Sequence, residues 1–404
     1  MGKWKSVSIG QLMAADALLV KSGFAQRDHN SDGDGVPHLR PFNVTEEATI
    51  DLSQIKSVPP PPADRPFWLK PNDVLFNNTN IEDFVGKTAL FPLSGRFVIS
   101  NHMTLLRVLD RSRLDPFWLA MAFYHKWRHG YFRPLCRRHV NQAGVRLDRL
   151  KEVQLHLPPL SEQKAIVRVL RTVQQAQEGA KRVILACRQV KESLLGQLFA
   201  RTEDWEVRRL GELVEIAYGV RAAILHNTDP TIGVPILTPV NVSIDGAINL
   251  SPLRYFDLPE RSKLMLRRGD LLFNWRNDNR EHFGKAALFD LPGEYTFGSF
   301  ILRLRSLGLV ENEYLYYYLC WLKAQGVLFR SRTSFVNPAF NASAVSRLQV
   351  TYPGAEERGA IVGMLRGVDR KLLAETAKKT ALDALFKSIL DSLMAGAAGR
   401  NCYV

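Results

Sequence analysis

Asn274-Trp275-Arg276-Asn277-Asp278-Asn279-Arg280 places three carboxamides and two guanidinium groups beside one tryptophan within seven residues. Asn can pair bidentately with adenine and Arg with guanine, so such a loop is chemically suited to reading base edges. Asn and Asp are also ordinary turn residues, and that reading stands beside the first. Asn77-Asn78-Thr79-Asn80 offers amides but no arginine, and each stretch is followed by a lysine, Lys87 or Lys285. Between Arg107 and Lys151 there are eleven Lys or Arg against three Asp, with Tyr124, Trp127, Tyr131 and Phe132 interleaved. Arg133, Arg137, Arg138 and Gln142 are the candidates in this run for phosphate and base contact. A solvated basic face accounts for the same run.

Other constellations carry less chemistry. Asp28-His29-Asn30-Ser31-Asp32-Gly33 matches the start of a calcium loop, but its twelfth position is Leu39 where a bidentate Glu is required. Asn337-Pro338-Ala339-Phe340 echoes the Asn-Pro-Pro-Phe motif of amino-methyltransferases, yet no Gly-rich strand–turn–helix for a cofactor precedes it. His125, His129 and His139 have no carboxylate or Cys at ligand spacing nearby in the sequence. No catalytic residue and no metal site are expected.

The elements that must position these residues come in two copies. Val36-Pro37-His38-Leu39-Arg40-Pro41-Phe42-Asn43-Val44 recurs as Val234-Pro235-Ile236-Leu237-Thr238-Pro239-Val240-Asn241-Val242, 198 residues on. Asn72 to Asn77 answers Gly269 to Asn274, and Gly86-Lys87-Thr88-Ala89-Leu90-Phe91 answers Gly284-Lys285-Ala286-Ala287-Leu288-Phe289. Ala165-Ile166-Val167 with Leu170-Arg171 returns as Ala360-Ile361-Val362 with Leu365-Arg366, and Trp4 with Ile9-Gly10 as Trp205 with Leu210-Gly211. Ordered matches with nearly constant offsets indicate a tandem duplication of domain-sized units.

Each copy opens with short β-like runs and closes with a helix that begins after Pro158-Pro159 or Pro353. In the first helix, with Ser161 as its expected cap, Ile166, Val169, Val173, Ala176, Ala180, Val183, Cys187, Val190 and Leu194 alternate spacings of three and four. That is the seam of a coiled coil, on a helix roughly 58 Å long at 1.5 Å per residue. The second copy reads Ile361, Met364, Val368, Lys371, Glu375, Lys378, Leu382, Leu385 and Ile389, so polar residues interrupt its middle, and neighbouring Leu372 and Leu373 could rotate the stripe. The short link from Ala200 to Trp205 favours an antiparallel pair. The expected divisions are a first domain over 1–157, a helix over 158–200, a second domain over 201–352 and a helix over 353–396.

Length and composition bound the partner. The 404 residues exceed one typical domain, and 54 Lys plus Arg against 40 Asp plus Glu give a net charge of +14. A surplus of this size favours a polyanionic partner. Four scattered cysteines argue against a disulfide scaffold and for a reducing, cytoplasmic setting, and no apolar run suits a signal peptide or a membrane span.

The run Leu157-Pro158-Pro159-Leu160-Ser161-Glu162-Gln163-Lys164-Ala165-Ile166-Val167 resembles the first conserved helix of type I restriction-modification specificity subunits. Ser193-Leu194-Leu195, Gln197-Leu198-Phe199 and the repeated Gly-Lys-x-Ala-Leu-Phe element extend the likeness. In the second copy Tyr352-Pro353-Gly354-Ala355-Glu356-Glu357-Arg358 departs from the Pro-Pro-Leu-x-Glu-Gln pattern. The resemblance implies an α+β protein: two tandem α/β target recognition domains separated by two long helices that form an antiparallel coiled coil. It implies a non-catalytic subunit that reads a split, asymmetric double-stranded DNA target. Two methyltransferase subunits and restriction/translocase subunits would be its partners, with S-adenosylmethionine bound by the methyltransferase and not by this chain. Unlike residues at the equivalent loops are what two unlike half-sites require. The alternative is a structural adaptor or degenerate subunit that binds protein partners without reading DNA sequence.

Overall fold

The computed structural model describes residues 4–26, 28–61, 68–138, 140–200, 204–221, 229, 231, 233–258, 261–277, 279–331 and 340–395. The chain divides into two units, one of residues 1–178 with 380–404 and one of 179–379. Each contains one copy of the duplicated domain and part of both long helices.

In the first unit, a four-stranded antiparallel sheet runs in the order Leu18–Ser22, Met103–Val108, Val74–Asn77, Thr88–Leu90. A three-stranded sheet places Val36–Leu39 between antiparallel Lys56–Val58 and parallel Val98–Ile99. Lys5–Ser8 pairs with Gln154–Leu157, which ties the start of the domain to the strand that leads into the first long helix. The second unit repeats every one of these pairings. Its sheets run Val214–Tyr218, Ile301–Ser306, Leu271–Asn274, Ala286–Leu288 and Arg254–Phe256, Val234–Leu237, Thr296–Phe297, and Glu206–Arg209 closes on Gln349–Tyr352. The duplication read from sequence is therefore a duplication of topology.

The repeated motifs are what hold this topology. Asn43 accepts a hydrogen bond from the Arg40 N–H at 2.9 Å and donates to the Asp51 carbonyl at 2.8 Å; Asn241 does the same with Thr238 and Asn249. Asp73 takes a two-pronged ion pair from Arg107 on the neighbouring strand, and Asp270 one from Arg305. Gly86 and Gly284 have φ of +93° and +71°, and a Cβ on Gly86 would lie 2.3 Å from the Phe132 ring. Only glycine meets both demands.

A helix lies in the core of each domain. Pro116–Arg128 starts on Asp115, whose side chain accepts from the Phe117 and Trp118 N–H groups. Residues from Pro116 to His125 are buried all round, as in a helix enclosed on every side. Its Phe123 packs with Phe76 and Phe132 at ring separations of 5.6 and 5.8 Å. Asn312–Ala324 is its counterpart, and Tyr314, Tyr318 and Trp321 surround Phe199.

The long helices span Leu160–Phe199 and Ala355–Met394, 40 residues each. The first begins one residue before Ser161, with the Glu162 and Gln163 N–H groups on the Pro159 carbonyl, so Ser161 is not its cap. The buried stripe is also corrected by one residue. Ile166, Val173, Ala180, Cys187 and Leu194 lie on it as expected, but the alternate positions are Leu170, Gln177, Ile184 and Lys191. Val169, Val183 and Val190 point outward with 44, 36 and 49 % exposure. The second helix shifts identically: Ile361, Val368, Leu382 and Ile389 stay on the stripe, while Leu365, Leu372 and Phe386 replace Met364, Lys371 and exposed Leu385. The physical reason is that the adjacent series keeps the same heptad spacing, and its polar members find partners. Gln177 donates to Asp383 at 2.9 Å in the first unit, and Lys191 pairs with Asp369 at 2.7 Å in the second. Glu375 is buried on the stripe but flanked by Lys371 and Lys378, which hold its carboxyl below the usual range.

Candidate nucleic-acid interface

In the first unit the structure gathers Asn80, Arg137, Arg138 and Gln142 on one small feature. Arg137–Arg138 pairs with Ala143–Gly144, which pairs in turn with Thr79–Asn80. Arg138 and Asn80 thus flank Ala143 in one register row. The arginines and Gln142 are exposed, and Val140 at the tip of the hairpin is fully so. Arg138 is held by Glu82 at 2.8 Å and Arg133 by Asp83 at 2.8 Å, which fixes both guanidinium groups beside the hairpin. Asn80 is half-buried and accepts from the Ile81 N–H.

Three residues of this half assigned to DNA in the sequence are buried. Asn77 is enclosed and donates to the Pro41 carbonyl; Asn78 donates to the Asn101 carbonyl and to Thr104. Lys87 is 6 % exposed, lies over the Phe84 ring, and has its pKa lowered by burial. Lys285 in the second unit is 5 % exposed and donates to the Pro239 and Val242 carbonyls at 2.8 and 2.6 Å. These four are corrected from surface contacts to internal ties. The recurrence of Asn77 as Asn274 and of Lys87 as Lys285 was itself the signal, because what recurs in both halves holds the shared fold.

The aromatics of the basic run are likewise turned toward the core, Tyr124 and Phe132 fully and Trp127 and Tyr131 in part. Tyr124 and Phe132 are buried, the Tyr124 hydroxyl donates to the Glu46 carbonyl, and Trp127 donates to the Asp83 carbonyl. Arg107 is committed to Asp73. Lys126 sits 3.9 Å from the centre of the Tyr131 ring, and burial lowers its pKa to about 8. The expected surface therefore contracts to the hairpin and its neighbours.

In the second unit, the loop after Leu271–Asn274 is built on stacked rings. Trp275 meets Tyr218 edge-on at 5.5 Å, lies 6.4 Å from Phe300, and donates its indole N–H to the Ser299 carbonyl. Arg276 lies over Phe300 at 5.4 Å and Arg280 over Phe329 at 5.3 Å. Asn277 accepts from the Asn279 N–H and Asn279 from the Glu281 N–H, so both amides also serve the turn. Tyr218 and Phe300 are 45 and 40 % exposed, and sequence reasoning missed both. A face of exposed rings with guanidinium groups above them can stack on bases and hydrogen-bond their edges. Asp278, His139 and Asn337 to Ala339 of the methyltransferase-like motif lie outside the described residues; Phe340 is a core residue.

One exchange explains the altered motif of the second helix. Gln163 is fully buried, donates to the Arg113 and Pro158 carbonyls, and accepts from the Asp115 N–H. Arg358 stands at the equivalent place, donating to the Pro353 and Leu309 carbonyls and to Glu311. The same junction is made with a different side chain.

No helix among the described residues is long and apolar enough to cross a membrane. Residues 67–184 and 202–384 match the family described as the type I restriction modification DNA specificity domain. The chain is 22 % identical to the putative type I restriction enzyme MjaX specificity subunit of Methanocaldococcus jannaschii, across 94 % of this chain and 90 % of that protein. It is 21 % identical to the MjaVIII specificity subunit of the same organism, across 61 and 62 %. Its fold is similar to the S subunit of a type I system from M. genitalium, with a TM-score of 0.62 at 15 % identity over 97 and 96 % of the two chains. A chain from a study of complex assembly in the type I R-M system superposes with a TM-score of 0.53 at 18 % identity over 98 % of both. Two copies of one topology, each closed onto a long helix and each matching the same domain family, place the chain among the specificity subunits of type I restriction-modification systems.

Proposed function

We propose that this chain reads a bipartite, asymmetric double-stranded DNA target, each domain contacting one half. The observation that carries the reading is the contrast between the copies. Internal ties such as those of Asn43 and Asn241, or of Asp73 and Asp270, recur, whereas the loops after the matching strands differ: buried Asn78 and half-buried Thr79 stand in one where Trp275 and Arg276 form an aromatic–arginine face in the other. A duplicated scaffold with unlike loops suits two unlike half-sites. The two long helices act as an antiparallel coiled-coil spacer, a reading supported by Gln177 with Asp383 and by Lys191 with Asp369. Two methyltransferase subunits dock on the chain, restriction/translocase subunits join them, and S-adenosylmethionine is bound by the methyltransferase. The chain itself performs no chemical step, and its place of action is the cytoplasm. The test is reconstitution: the chain with its cognate methyltransferase subunit methylates adenines at a split site, and neither component does so alone. Methyl transfer by the purified chain would overturn the reading, as would assembly without salt-sensitive DNA binding.

A further inference from the structure

His125 and His129 lie four residues apart at the end of the helix Pro116–Arg128, and Asp391 from the last turns of the second long helix meets them. The His129 Nε2 is 3.1 Å and the His125 Nε2 3.6 Å from the same Asp391 oxygen, and one ligand atom from each of the three lies within 4.8 Å of the others. Donor atoms around a tetrahedral zinc ion at 2.0–2.1 Å stand about 3.3 Å apart, so small rotamer adjustments close the triad on one ion. All three residues belong to the first unit.

From this geometry we propose that His125, His129 and Asp391 form a divalent transition-metal site of the zinc type, closed on the protein side by two imidazoles and a carboxylate. His125 in the last turn of that helix and His129 at its C-cap bring their ring centres to 4.5 Å of each other, at the i, i+4 spacing of a recurrent chelating arrangement. The mixed nitrogen and oxygen set selects zinc and its neighbours over magnesium or calcium. The ion would sit at a helix C-terminus, where the helix dipole favours positive charge. Asp391 and His129 are 37 and 40 % exposed, which leaves an entry path and room for a water as fourth ligand. Arg128 holds the same Asp391 oxygen at 2.9 Å; in the metal-loaded site it shifts to the second carboxylate oxygen.

The duplication supplies an internal control. The core helices are related by 196 residues and the long helices by 195, so the corresponding residues are Trp321, Gln325 and Gly196, none of them a ligand set. The shared fold does not require this triad. Its effect is to clip the end of the second long helix to the first domain.

The untagged full chain, stripped with a chelator, should bind one Zn2+ saturably in calorimetry, and Zn2+ should raise its thermal midpoint by several degrees. His129→Ala and Asp391→Asn should weaken that binding by about 100-fold or more and abolish the thermal shift. Arg128→Ala, which removes the competing cation and no ligand, should bind Zn2+ more tightly than the parent. Equal affinity and stoichiometry in the parent and in His129→Ala would overturn the site. Failure of the folded parent to bind micromolar Zn2+ would overturn it equally, as would weaker binding in Arg128→Ala.

Discussion

Gln163 and Arg358 solve one problem with different chemistry. Each satisfies carbonyls left open where a strand turns into a long helix, and each is almost wholly buried. Truncation leaves those groups unpaired, at a cost of about 1–3 kcal/mol. Gln163→Ala and Arg358→Ala should each lower stability by that amount in denaturant titration, and Val169→Ala should serve as a near-neutral control. A second residue-scale expectation concerns His38, which is 1 % exposed with its pKa lowered from 6.5 to about 4, chiefly by burial and then by His29. Between these values the unfolded chain binds a proton that the folded chain does not, so stability falls as pH falls from about 6.5 toward 4. The loss from this one group between pH 7 and 5 is about 2 kcal/mol. His38→Leu should remove that increment from the pH dependence measured by chemical denaturation.

Among the elements, the long helices show how far periodicity reaches. The alternation of three and four gave two helices of the right length and kind, and half of the stripe positions. The other half were displaced by one residue because Val169 and Leu170, or Val183 and Ile184, satisfy the same heptad rule. Preferring uninterrupted apolar series in the sequence led to the valines; the folded chain uses the series containing Gln177 and Lys191, whose partners come from the other helix. Leu170→Ala should therefore cost about 2–5 kcal/mol and Val169→Ala less than about 0.5. Equal costs at the two positions would return the seam to its valine register. The strands were legible for a different reason: Val74–Asn77 and Leu271–Asn274 are copies, and their pairing partners are copies too.

At the scale of the whole molecule, the two domains are alike in what they bury and unlike in what they present. Arg276→Ala with Arg280→Ala should relax readout in one half of the target by about 1–3 kcal/mol per lost base contact and leave the other half intact. Arg137→Ala with Arg138→Ala should do the converse, or, where the contacts are to phosphate, weaken binding evenly and reduce its salt dependence. Mapping methylated adenines with each variant distinguishes the two outcomes. The net charge of +14 is then only partly available to a polyanionic partner, since Arg107, Arg128, Arg305 and Lys285 are committed to internal partners.

By itself the amino-acid sequence determined the duplication, the strand-rich domains, the two long helices and the family, because these rest on repetition and on periods within one segment. Tertiary structure alone decided which face of each helix is covered, that Lys87 and Lys285 are internal, and that Asp391 stands against His125 and His129 across 262 residues. Burial and ligand geometry are properties of contacts between distant segments. A helix's own sequence fixes its period, but its phase is set by what packs against it, and the carboxylate of a three-residue cluster can come from anywhere in the chain.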